Sequence, residues 1–417
     1  NSLGFEMEKD TAGCRAFSRN YIVGGVIPMF NIKTLNKISP VGTDIFDKGK
    51  YRFVDENTAA DAVLVRSASM LDTKFEPELK AIARAGAGVN NIPVERCSEQ
   101  GIVVFNTPGA NANAVKELVL AGVLMSARRV IPAIDWARTL KGKGAEVSKL
   151  VEKGKGAFVG PEVYGKTLGV IGLGAIGVQV ANAARHFGMQ VYGYDPYLSV
   201  DTAWGLSRAI IHAKSLNEIY KNCDFITIHV PLTAETRAMI NKETLDSCKN
   251  GVRILNFARG DLVSSEDILT AVASGKVAAY VTDFPTDEML GVDGIVAIPH
   301  LGASTPESED NCAKMAAAEL VDFLENGNIK NSVNLPNMRM ERSGSCRLAI
   351  IHRNIPTMIT QISQAIGDDG LNIDNLTNKS KKDYAYTMVD VEGDVSQALM
   401  AKISNIESVL RVNLYRS

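Results

Sequence analysis

The sequence has few cysteines, no long apolar run and no excess of charge of one sign. Its six cysteines are scattered over 417 residues without a Cys-x-x-Cys pair or a zinc-type spacing. This pattern is typical of reduced cysteines that pack in the interior of a cytoplasmic protein, and it predicts no structural metal site. No apolar stretch approaches the roughly 18 residues that a membrane helix needs. The 45 basic and 47 acidic residues leave a net charge of -2, which excludes a general attraction to nucleic acid or an anionic membrane.

Short apolar runs alternate with helical patterns from Asn31 onward. This alternation is typical of a parallel sheet with helices on both faces, and the length predicts two or three domains. The first predicted strands are residues 32–35, 51–54, 62–65, 81–84 and 102–106. A second series of six fits one doubly wound sheet: residues 167–172, 190–195, 225–230, 253–258, 278–283 and 295–299.

Three segments do not fit this alternation. Residues 1–28 precede Met29, which resembles a natural protein start, so they are expected to form a poorly ordered extension. A long apolar helix is predicted over residues 114–127, either linking two domains or packing against a second subunit. The lysine-rich segment 141–156 is either a solvated surface element or a mobile basic flap near an anionic substrate.

The C-terminal part has a pattern of its own. A linker is predicted near residues 331–343, where Pro336 precedes a polar run. Residues 346–415 read as strand, helix, strand, strand, helix, strand. This order predicts a separate domain with a ferredoxin-like fold.

A G-x-G-x-x-G sequence lies between a predicted strand and a predicted helix, as the dinucleotide-binding fingerprint requires. Gly172 permits the tight turn, Gly174 lets the backbone approach a pyrophosphate, and Gly177 lets the helix pack on the strand. The backbone amides near Ala175 and Ile176 then face the phosphates at the positive end of the helix. A structural strand-to-helix turn without a ligand is the alternative.

Asp195 ends the next predicted strand, 23 residues after Gly172. A carboxylate at this position accepts hydrogen bonds from both ribose hydroxyls and repels a 2′-phosphate. The sequence therefore favours NAD over NADP as the cofactor.

Three charged or ionisable residues follow predicted strands of the same sheet. Hydride transfer from a 2-hydroxy acid needs a base for the hydroxyl proton and a cation for the carboxylate. Of the five histidines, only His300 follows a strand at the sheet edge where ligands bind in this architecture. Arg259 follows an earlier strand and suits a carboxylate, while Glu288 is placed to pair with His300 and raise its pKa. Each residue taken singly is more often structural.

Four motifs together resemble the D-isomer-specific 2-hydroxyacid dehydrogenase family: the glycine fingerprint, residues 256–260, residues 283–288 and residues 299–305. Within it, the chain is similar to members that carry a C-terminal ACT domain and oxidise D-3-phosphoglycerate. The resemblance implies a Rossmann NAD domain at residues 108–303. This domain is inserted in a flavodoxin-like substrate domain of residues 29–107 and 304–335. A linker of residues 336–344 and an ACT regulatory domain of residues 345–417 follow.

The resemblance also implies roles for individual residues. His300 would be the proton donor and acceptor, Glu288 its partner, and Arg259 would bind the substrate carboxylate and carbonyl. The implied cofactor contacts are Gly172, Gly174, Ala175, Ile176, Gly177, Asp195, Val230, Phe257, Ala258, Asp283, Gly302 and Ala303. The implied contacts to a phosphorylated substrate, besides Arg259, are Arg66, Arg84, Ala87 and Gly88. Closing the cleft between the two implied domains would exclude water from the hydride.

The implied ACT domain suggests control by an effector. His352, Asn354 and Asn372 match the serine-binding positions of feedback-inhibited relatives. Thr357 departs from the family pattern, because the family usually has glycine there. The alternative is an ACT domain used only for assembly into a homodimer or homotetramer.

The sequence thus predicts NAD-dependent oxidation of D-3-phosphoglycerate to 3-phosphohydroxypyruvate, the first step of serine synthesis. One alternative keeps the chemistry but reduces glyoxylate, hydroxypyruvate or 2-oxoglutarate. Another is a non-catalytic NAD(H)-sensing regulator, against which Arg259, Glu288 and His300 argue.

Overall fold

The computed structural model describes residues 29–55 and 57–416. The predicted extension of residues 1–28, with Cys14, lies outside the described residues. The five described cysteines are buried free thiols. Among the described residues, no helix combines the length and hydrophobicity that a bilayer crossing requires.

The strands, in chain order, are β1 (Phe30–Leu35), β2 (Tyr51–Phe53), β3 (Ala62–Val65), β4 (Ala81–Arg84), β5 (Val103–Phe105), β6 (Thr167–Ile171), β7 (Gln190–Tyr194), β8 (Ile211–His212), β9 (Phe225–Ile228), β10 (Val252–Asn256), β11 (Val277–Thr282), β12 (Ile295–Ala297), β13 (Cys346–Arg353), β14 (Asn372–Lys381), β15 (Tyr384–Glu392) and β16 (Val409–Arg416). The α-helices are α1 (Pro40–Thr43), α2 (Val94–Glu99), α3 (Ala112–Arg128), α4 (Val130–Arg138), α5 (Val147–Gly154), α6 (Ala175–His186), α7 (Val200–Trp204), α8 (Leu216–Asn222), α9 (Lys242–Ser247), α10 (Ser265–Ala273), α11 (Pro306–Asn326), α12 (Met358–Asp368) and α13 (Gln397–Ser404).

The described chain divides into two compact units. One contains the residues up to Ala110 together with those from Glu309 onward, and the other contains Asn111–Ser308. The domain boundaries expected from the sequence stay a prediction.

The first unit contains a five-stranded parallel sheet in the order β2-β1-β3-β4-β5. This is the flavodoxin-like strand order. β3 is buried along its whole length, because helices and chain cover both of its faces. Helix α11 contributes Ala316, Leu320 and Phe323 to the core on one face.

The same unit contains a four-stranded antiparallel sheet in the order β14-β15-β13-β16, with α12 and α13 between its strands. One face of this sheet packs against α12 and α13 around Leu348 and Ile362. The other face places Ile351 and Tyr386 in the same hydrophobic cluster as Phe323 of α11. The C-terminal sheet therefore shares a continuous core with the rest of its unit.

The second unit is built on a seven-stranded parallel sheet in the order β12-β11-β10-β9-β6-β7-β8. The strand order reverses between β6 and β9, which neighbour each other although β7, β8 and three helices separate them in sequence. Ligands in doubly wound sheets bind at such a switch point. Helices α3 and α6 cover one face, where Val119 and Val180 are fully buried.

The α/β fold and the C-terminal βαββαβ order are confirmed, with two corrections. The second sheet has a seventh, two-residue strand, β8, which contains His212 and is too short for a periodicity signal. Three predicted strands also ran two residues too far, after Ile228, Asn256 and Ala297, because apolar residues continue into the loops. The lysine-rich segment is an exposed turn followed by α5, which agrees with the solvated surface element of the two alternatives.

Candidate active site

The glycine-rich turn after β6 has the geometry that its sequence predicts. Gly172 has a φ of 91°, which favours glycine. A Cβ at Gly177 would collide with the carbonyl oxygen of Gly172, so only glycine lets α6 approach the turn this closely. A Cβ at Gly174 would meet nothing within 4 Å. The turn is therefore open at Gly174, where the chain fits a pyrophosphate, and closed at Gly177.

The N-terminus of α6 begins at this turn. Gly174 caps the helix with an extended backbone and without a side-chain cap, and Ala175 is the first helical residue. The first amides of a helix have no acceptor within it, and they favour an anion. Ile176 is half-buried on this first turn, and Val230 lies beside Gly172 from the end of β9.

Asp195 follows β7 and is held by two backbone amides. Its Oδ2 accepts a hydrogen bond from the amide of Leu173 at 2.9 Å, and its Oδ1 accepts one from Tyr197 at 2.8 Å. The first of these joins the carboxylate to the glycine turn. The arrangement fixes one negative charge at the position where a ribose would lie.

Asp283 and His300 meet at the carboxyl end of β11. The amide of His300 donates to the carbonyl oxygen of Asp283 at 3.0 Å, and the amide of Gly302 donates to Asp283 Oδ2 at 3.2 Å. The other oxygen, Oδ1, is buried without a partner. Burial raises the pKa of this carboxyl. An unsatisfied buried acceptor fits the carboxamide of a nicotinamide, so the residues present suit the cofactor.

His300 has a strained backbone and an exposed side chain. Its φ is 27°, which is unusual for a residue other than glycine and marks a position worth a functional explanation. Its ring centre lies 4.8 Å from that of Phe284, at a tilt of 51°. Gly302 is buried and Ala303 half-buried, so the chain turns inward directly after the exposed imidazole.

Arg259 follows β10 in a loop that the buried side chain of Asn256 supports. Asn256 donates to the carbonyl oxygen of Arg259 at 2.8 Å and accepts from the amide of Ala258 at 3.2 Å. Phe257 is buried between these residues and lies against Gly122 of α3. The Arg259 side chain is exposed, and its Nη1 donates to the carbonyl oxygen of Ala258 at 2.6 Å.

The expected contact between Glu288 and His300 is absent. Among the described residues, neither a hydrogen bond nor an ion pair joins the two side chains. Glu288 lies on a short exposed turn, Asp287–Met289, where its own backbone amide lowers the pKa of its carboxyl. The sequence showed that the two residues follow neighbouring strands. It did not show that Glu288 would lie on an exposed turn without a contact to His300.

The predicted substrate cations lie together in the first unit. Arg66 follows β3 and Arg84 ends β4, which are adjacent strands. Arg84 Nε donates to the carbonyl oxygen of Arg66 at 3.1 Å. The Arg84 guanidinium occupies the space that a Cβ on Gly86 would need, so Gly86 lets this side chain fold over the strand end.

The turn that contains Ala87 and Gly88 is held by a residue that sequence reasoning missed. Asn106 Nδ2 donates to the carbonyl oxygen of Ala87 at 2.6 Å, and the amide of Thr107 donates to that of Gly86 at 3.1 Å. Ala87 is exposed and Gly88 half-buried. The Asn-Thr-Pro-Gly sequence after β5 is a turn signal, and it could have directed attention to Asn106.

The predicted effector residues do not form one polar site. His352 is buried on β13, where one ring nitrogen lies 2.7 Å from the carbonyl oxygen of Arg353 and the other 2.8 Å from Thr387 Oγ1. Both nitrogens are therefore engaged inside the sheet, which argues against His352 as a direct ligand. Asn354 and Asn372 are exposed, with Asn354 Nδ2 donating to Lys382 and Asn372 Nδ2 to Asp374.

Thr357 adopts a left-handed conformation, with a φ of 69°, immediately before α12. This is unfavourable for a β-branched residue, and glycine would adopt it without strain. Thr357 therefore adds a β-branched side chain at a strained position that would suit glycine.

The chain is similar to known proteins of one family. Residues 120–302 match the family model described as D-isomer specific 2-hydroxyacid dehydrogenase, NAD binding domain. The chain is 36% identical over 307 residues to D-3-phosphoglycerate dehydrogenase of Methanocaldococcus jannaschii, covering 72% of this chain and 56% of that protein. It is 32% identical over 409 residues to the protein of the same name from Synechocystis, covering 92% of this chain and 70% of the relative.

A solved structure shows the same similarity. The NAD⁺-bound 3-phosphoglycerate dehydrogenase of Entamoeba histolytica is 27% identical, with a TM-score of 0.57. The match covers 73% of this chain and 99% of that one.

Proposed function

Since this chain belongs to the D-isomer-specific 2-hydroxyacid dehydrogenase family, we propose that it oxidises D-3-phosphoglycerate to 3-phosphohydroxypyruvate. The observation that supports this most strongly is that the His300 amide bonds to the Asp283 carbonyl oxygen, beside an Asp283 carboxylate with one unsatisfied oxygen, in the unit that contains the glycine turn. The family's NAD-binding domain supplies the cofactor site. In serine synthesis this reaction is the first step.

Each residue of the proposed active site has a separate role in the reaction. The hydride of C2 would pass to the nicotinamide ring that NAD⁺ supplies when bound. Asp283 Oδ1 would accept a hydrogen bond from the nicotinamide carboxamide, which fixes the face that the ring presents. His300 would take the proton of the C2 hydroxyl at a ring nitrogen, and Arg259 would bind the carboxylate. Glu288 would assist His300 only after a movement of its turn, since the two side chains do not touch here.

Residues of the first unit would bind the phosphate and the carboxylate of the substrate. Arg66 and Arg84 follow adjacent strands and offer two guanidinium groups to a phosphate. Ala87 and Gly88 would donate backbone amides to the substrate carboxylate from the turn that Asn106 holds. A hydroxy acid with a neutral tail needs neither arginine, so the pair favours a phosphorylated substrate.

Replacing His300 tests the proposal. His300→Ala should nearly abolish turnover with D-3-phosphoglycerate and leave the dissociation constant for NADH unchanged, because the ring contacts the substrate hydroxyl and not the dinucleotide. His212→Ala, on the two-residue strand β8, is the matched control. Rates with a panel of 2-hydroxy and 2-oxo acids, with NAD(H) and NADP(H), would identify the substrate. Survival of turnover in His300→Ala would refute the assignment of the base.

An unphosphorylated substrate is the second candidate, and one observation favours it. Arg66 forms an ion pair with Glu309, so one of the two cations already has an anionic partner. Reduction of glyoxylate, hydroxypyruvate or 2-oxoglutarate would then be the activity. The same panel decides between the candidates through the ratio of kcat/KM for phosphorylated and unphosphorylated acids.

We also propose assembly into a homodimer or homotetramer. In the second unit, Val159, Ile131 and Leu290 are exposed around a groove of about 910 Å³ beside the edge strand β12. Exposed apolar surface next to an unpaired strand edge is typical of an interface between subunits. Sedimentation velocity tests this. A sharp shift toward monomer in Ile131→Glu supports the proposal, and an unchanged assembly state opposes it.

We also propose regulation by L-serine, with fewer contact residues than the sequence predicted. His352 is engaged within the sheet, so Asn354 and Asn372 remain the candidate contacts. Initial rates with and without L-serine test this, with Asn354→Ala and Asn372→Ala as variants. Equal rates at every serine concentration would leave the C-terminal sheet with a role in assembly alone.

A cytoplasmic location is the last part of the proposal. The five described cysteines are all buried free thiols, which is typical of a reducing compartment. Fractionation of the producing cells, followed by immunodetection, checks it.

A further inference from the structure

The Arg66–Glu309 ion pair joins two residues that are far apart in sequence. Arg66 Nη2 lies 2.6 Å from Glu309 Oε1, and the two side chains are 39% and 43% exposed. Arg66 belongs to the proposed phosphate site. Glu309 lies in the first turn of α11 and is not one of the proposed substrate contacts. A carboxylate in contact with a proposed phosphate-binding cation needs an explanation.

Both ends of this pair are fixed by the fold. The carbonyl oxygen of Arg66 accepts hydrogen bonds from Arg84 Nε at 3.1 Å and from Asn91 Nδ2 at 3.4 Å. On the other side, Ser39 Oγ donates to Asp310, the neighbour of Glu309. A Cβ on Gly42 would lie 2.6 Å from the backbone of Ala313, so α1 and α11 are in close contact. The pair therefore connects two anchored elements.

The pair changes what Arg66 can recognise. A phosphate dianion that binds Arg66 must either displace the Glu309 carboxylate or bind beside it, and like charges at such distances repel one another. A substrate with a neutral tail meets no such repulsion. The contribution of an exposed pair to stability is small, but its effect on an incoming anion acts directly at the binding cation.

We propose that Glu309 is a specificity-determining residue that weakens binding of the phosphate group at Arg66 and so sets the preference between phosphorylated and unphosphorylated 2-hydroxy acids. The inference rests on the proposed function only in assigning the phosphate to Arg66. The competing explanation is that Glu309 orients Arg66 for phosphate. The two explanations predict opposite changes when the charge of Glu309 is removed.

The test compares Glu309→Gln with Glu307→Gln. Glu307 lies in the same helical turn and is exposed, and no ion pair involves it among the described residues. Both variants lose one negative charge. In Glu309→Gln, KM for D-3-phosphoglycerate should fall about three- to fivefold, which is the upper part of the range expected for one exposed charge pair. KM for D-glycerate should stay within twofold of wild type, and Glu307→Gln should match wild type with both substrates.

A binding measurement separates this inference from the proposed function. The dissociation constant for inorganic phosphate, measured by ³¹P NMR line broadening on the intact protein, should fall by a similar factor in Glu309→Gln alone. This result is expected even if D-3-phosphoglycerate proves not to be the substrate. An increase in KM or in the phosphate dissociation constant would assign Glu309 an orienting role and overturn the proposal. Equal values in wild type and both variants would overturn it as well.

Discussion

The backbone amide of Gly302 donates to Asp283 Oδ2 at 3.2 Å and ties the loop after β12 to the end of β11. The second oxygen of Asp283 is buried and has no partner. Desolvation raises the pKa of this carboxyl, so the protein places an acceptor in an unfavourable environment. Such a group is explained by a donor that arrives with a ligand, and a carboxamide is suited to it.

Asp283→Ala should weaken NADH binding. The variant loses a charge-assisted hydrogen bond, worth about 1.5–3 kcal/mol, and the dissociation constant should rise roughly 10- to 100-fold. Quenching of protein fluorescence by NADH measures it. Asp287→Ala, on the exposed turn nearby, is the control and should bind as wild type. Unchanged affinity in Asp283→Ala would mean that the free oxygen serves no ligand.

Two glycines of the same turn should respond differently to one added methyl group. Gly174→Ala places a Cβ in open space at an ordinary φ of -72°, so the free energy of unfolding should change by less than about 0.5 kcal/mol. Gly177→Ala places a Cβ against the carbonyl oxygen of Gly172 and should cost about 1–3 kcal/mol. Urea unfolding measures both values.

NADH titration then separates stability from binding in these variants. Gly174→Ala should bind NADH at least about tenfold more weakly, although it folds normally, because a methyl group obstructs the approach of the pyrophosphate. If Gly174→Ala binds NADH as wild type does, the dinucleotide does not lie against this residue.

The sequence predicted the structural features that are determined by residues close together along the chain. The glycine turn, the strand ends at Asp195 and Asp283, and the βαββαβ order all follow from local periodicity and spacing. These features form locally, and the sheet topology then places the strand ends at a common edge. The fold class and the residues at the carboxyl edge could therefore be found without coordinates.

The sequence did not predict contacts that depend on side-chain direction. His352 was expected to face an effector, yet it faces the interior of its sheet, and no periodicity signal separates these outcomes for a polar residue on a buried strand. Glu288 follows β11 as expected, but it lies on a short exposed turn and forms no contact with His300 among the described residues. The Arg66–Glu309 pair depends on how α11 packs near the end of β3, which is a tertiary relationship.

Breaking the ion pair between Arg347 and Asp390 should destabilise the first unit. Arg347 Nε and Nη2 donate to the two Asp390 oxygens at 2.6 and 2.8 Å, and both side chains are fully buried. Arg347 Nη1 also donates to the carbonyl oxygen of Asn326, at the end of α11. Arg347→Met leaves an uncompensated buried carboxylate and should lower the free energy of unfolding by about 3–5 kcal/mol.

A double variant shows whether Arg347→Met is destabilised by the unpaired buried charge of Asp390 or by the loss of hydrogen bonds. Arg347→Met with Asp390→Leu removes both charges and should be more stable than Arg347→Met alone, as measured by urea unfolding. A double variant less stable than the single one would show that the other hydrogen bonds of Asp390, such as that from the amide of Ser343 at 2.8 Å, are the larger contribution.

Glu319 should make stability depend on pH in the neutral range. It lies on α11, its Oε1 accepts from Asn331 Nδ2 at 2.7 Å, and its Oε2 is buried without a partner. Burial raises the pKa of this carboxyl to about 8. The folded state therefore holds the proton that the unfolded chain releases above its ordinary pKa of about 4.3. The resulting stabilisation is fully present below that value and is lost as the pH rises toward 8.

Glu319→Gln isolates this effect, because the amide stays neutral at every pH. The free energy of unfolding of the variant, minus that of wild type, should increase with pH between about 5 and 8, at up to about 1.4 kcal/mol per pH unit. Above pH 8 the difference should level off. Urea unfolding at intervals from pH 5 to pH 9 measures it, with the exposed Glu307→Gln as a control that should show no such slope. A difference that stays constant over this range would mean that Glu319 is ionised in the folded protein from pH 5 upward, and that solvent or a neighbouring cation compensates its buried oxygen.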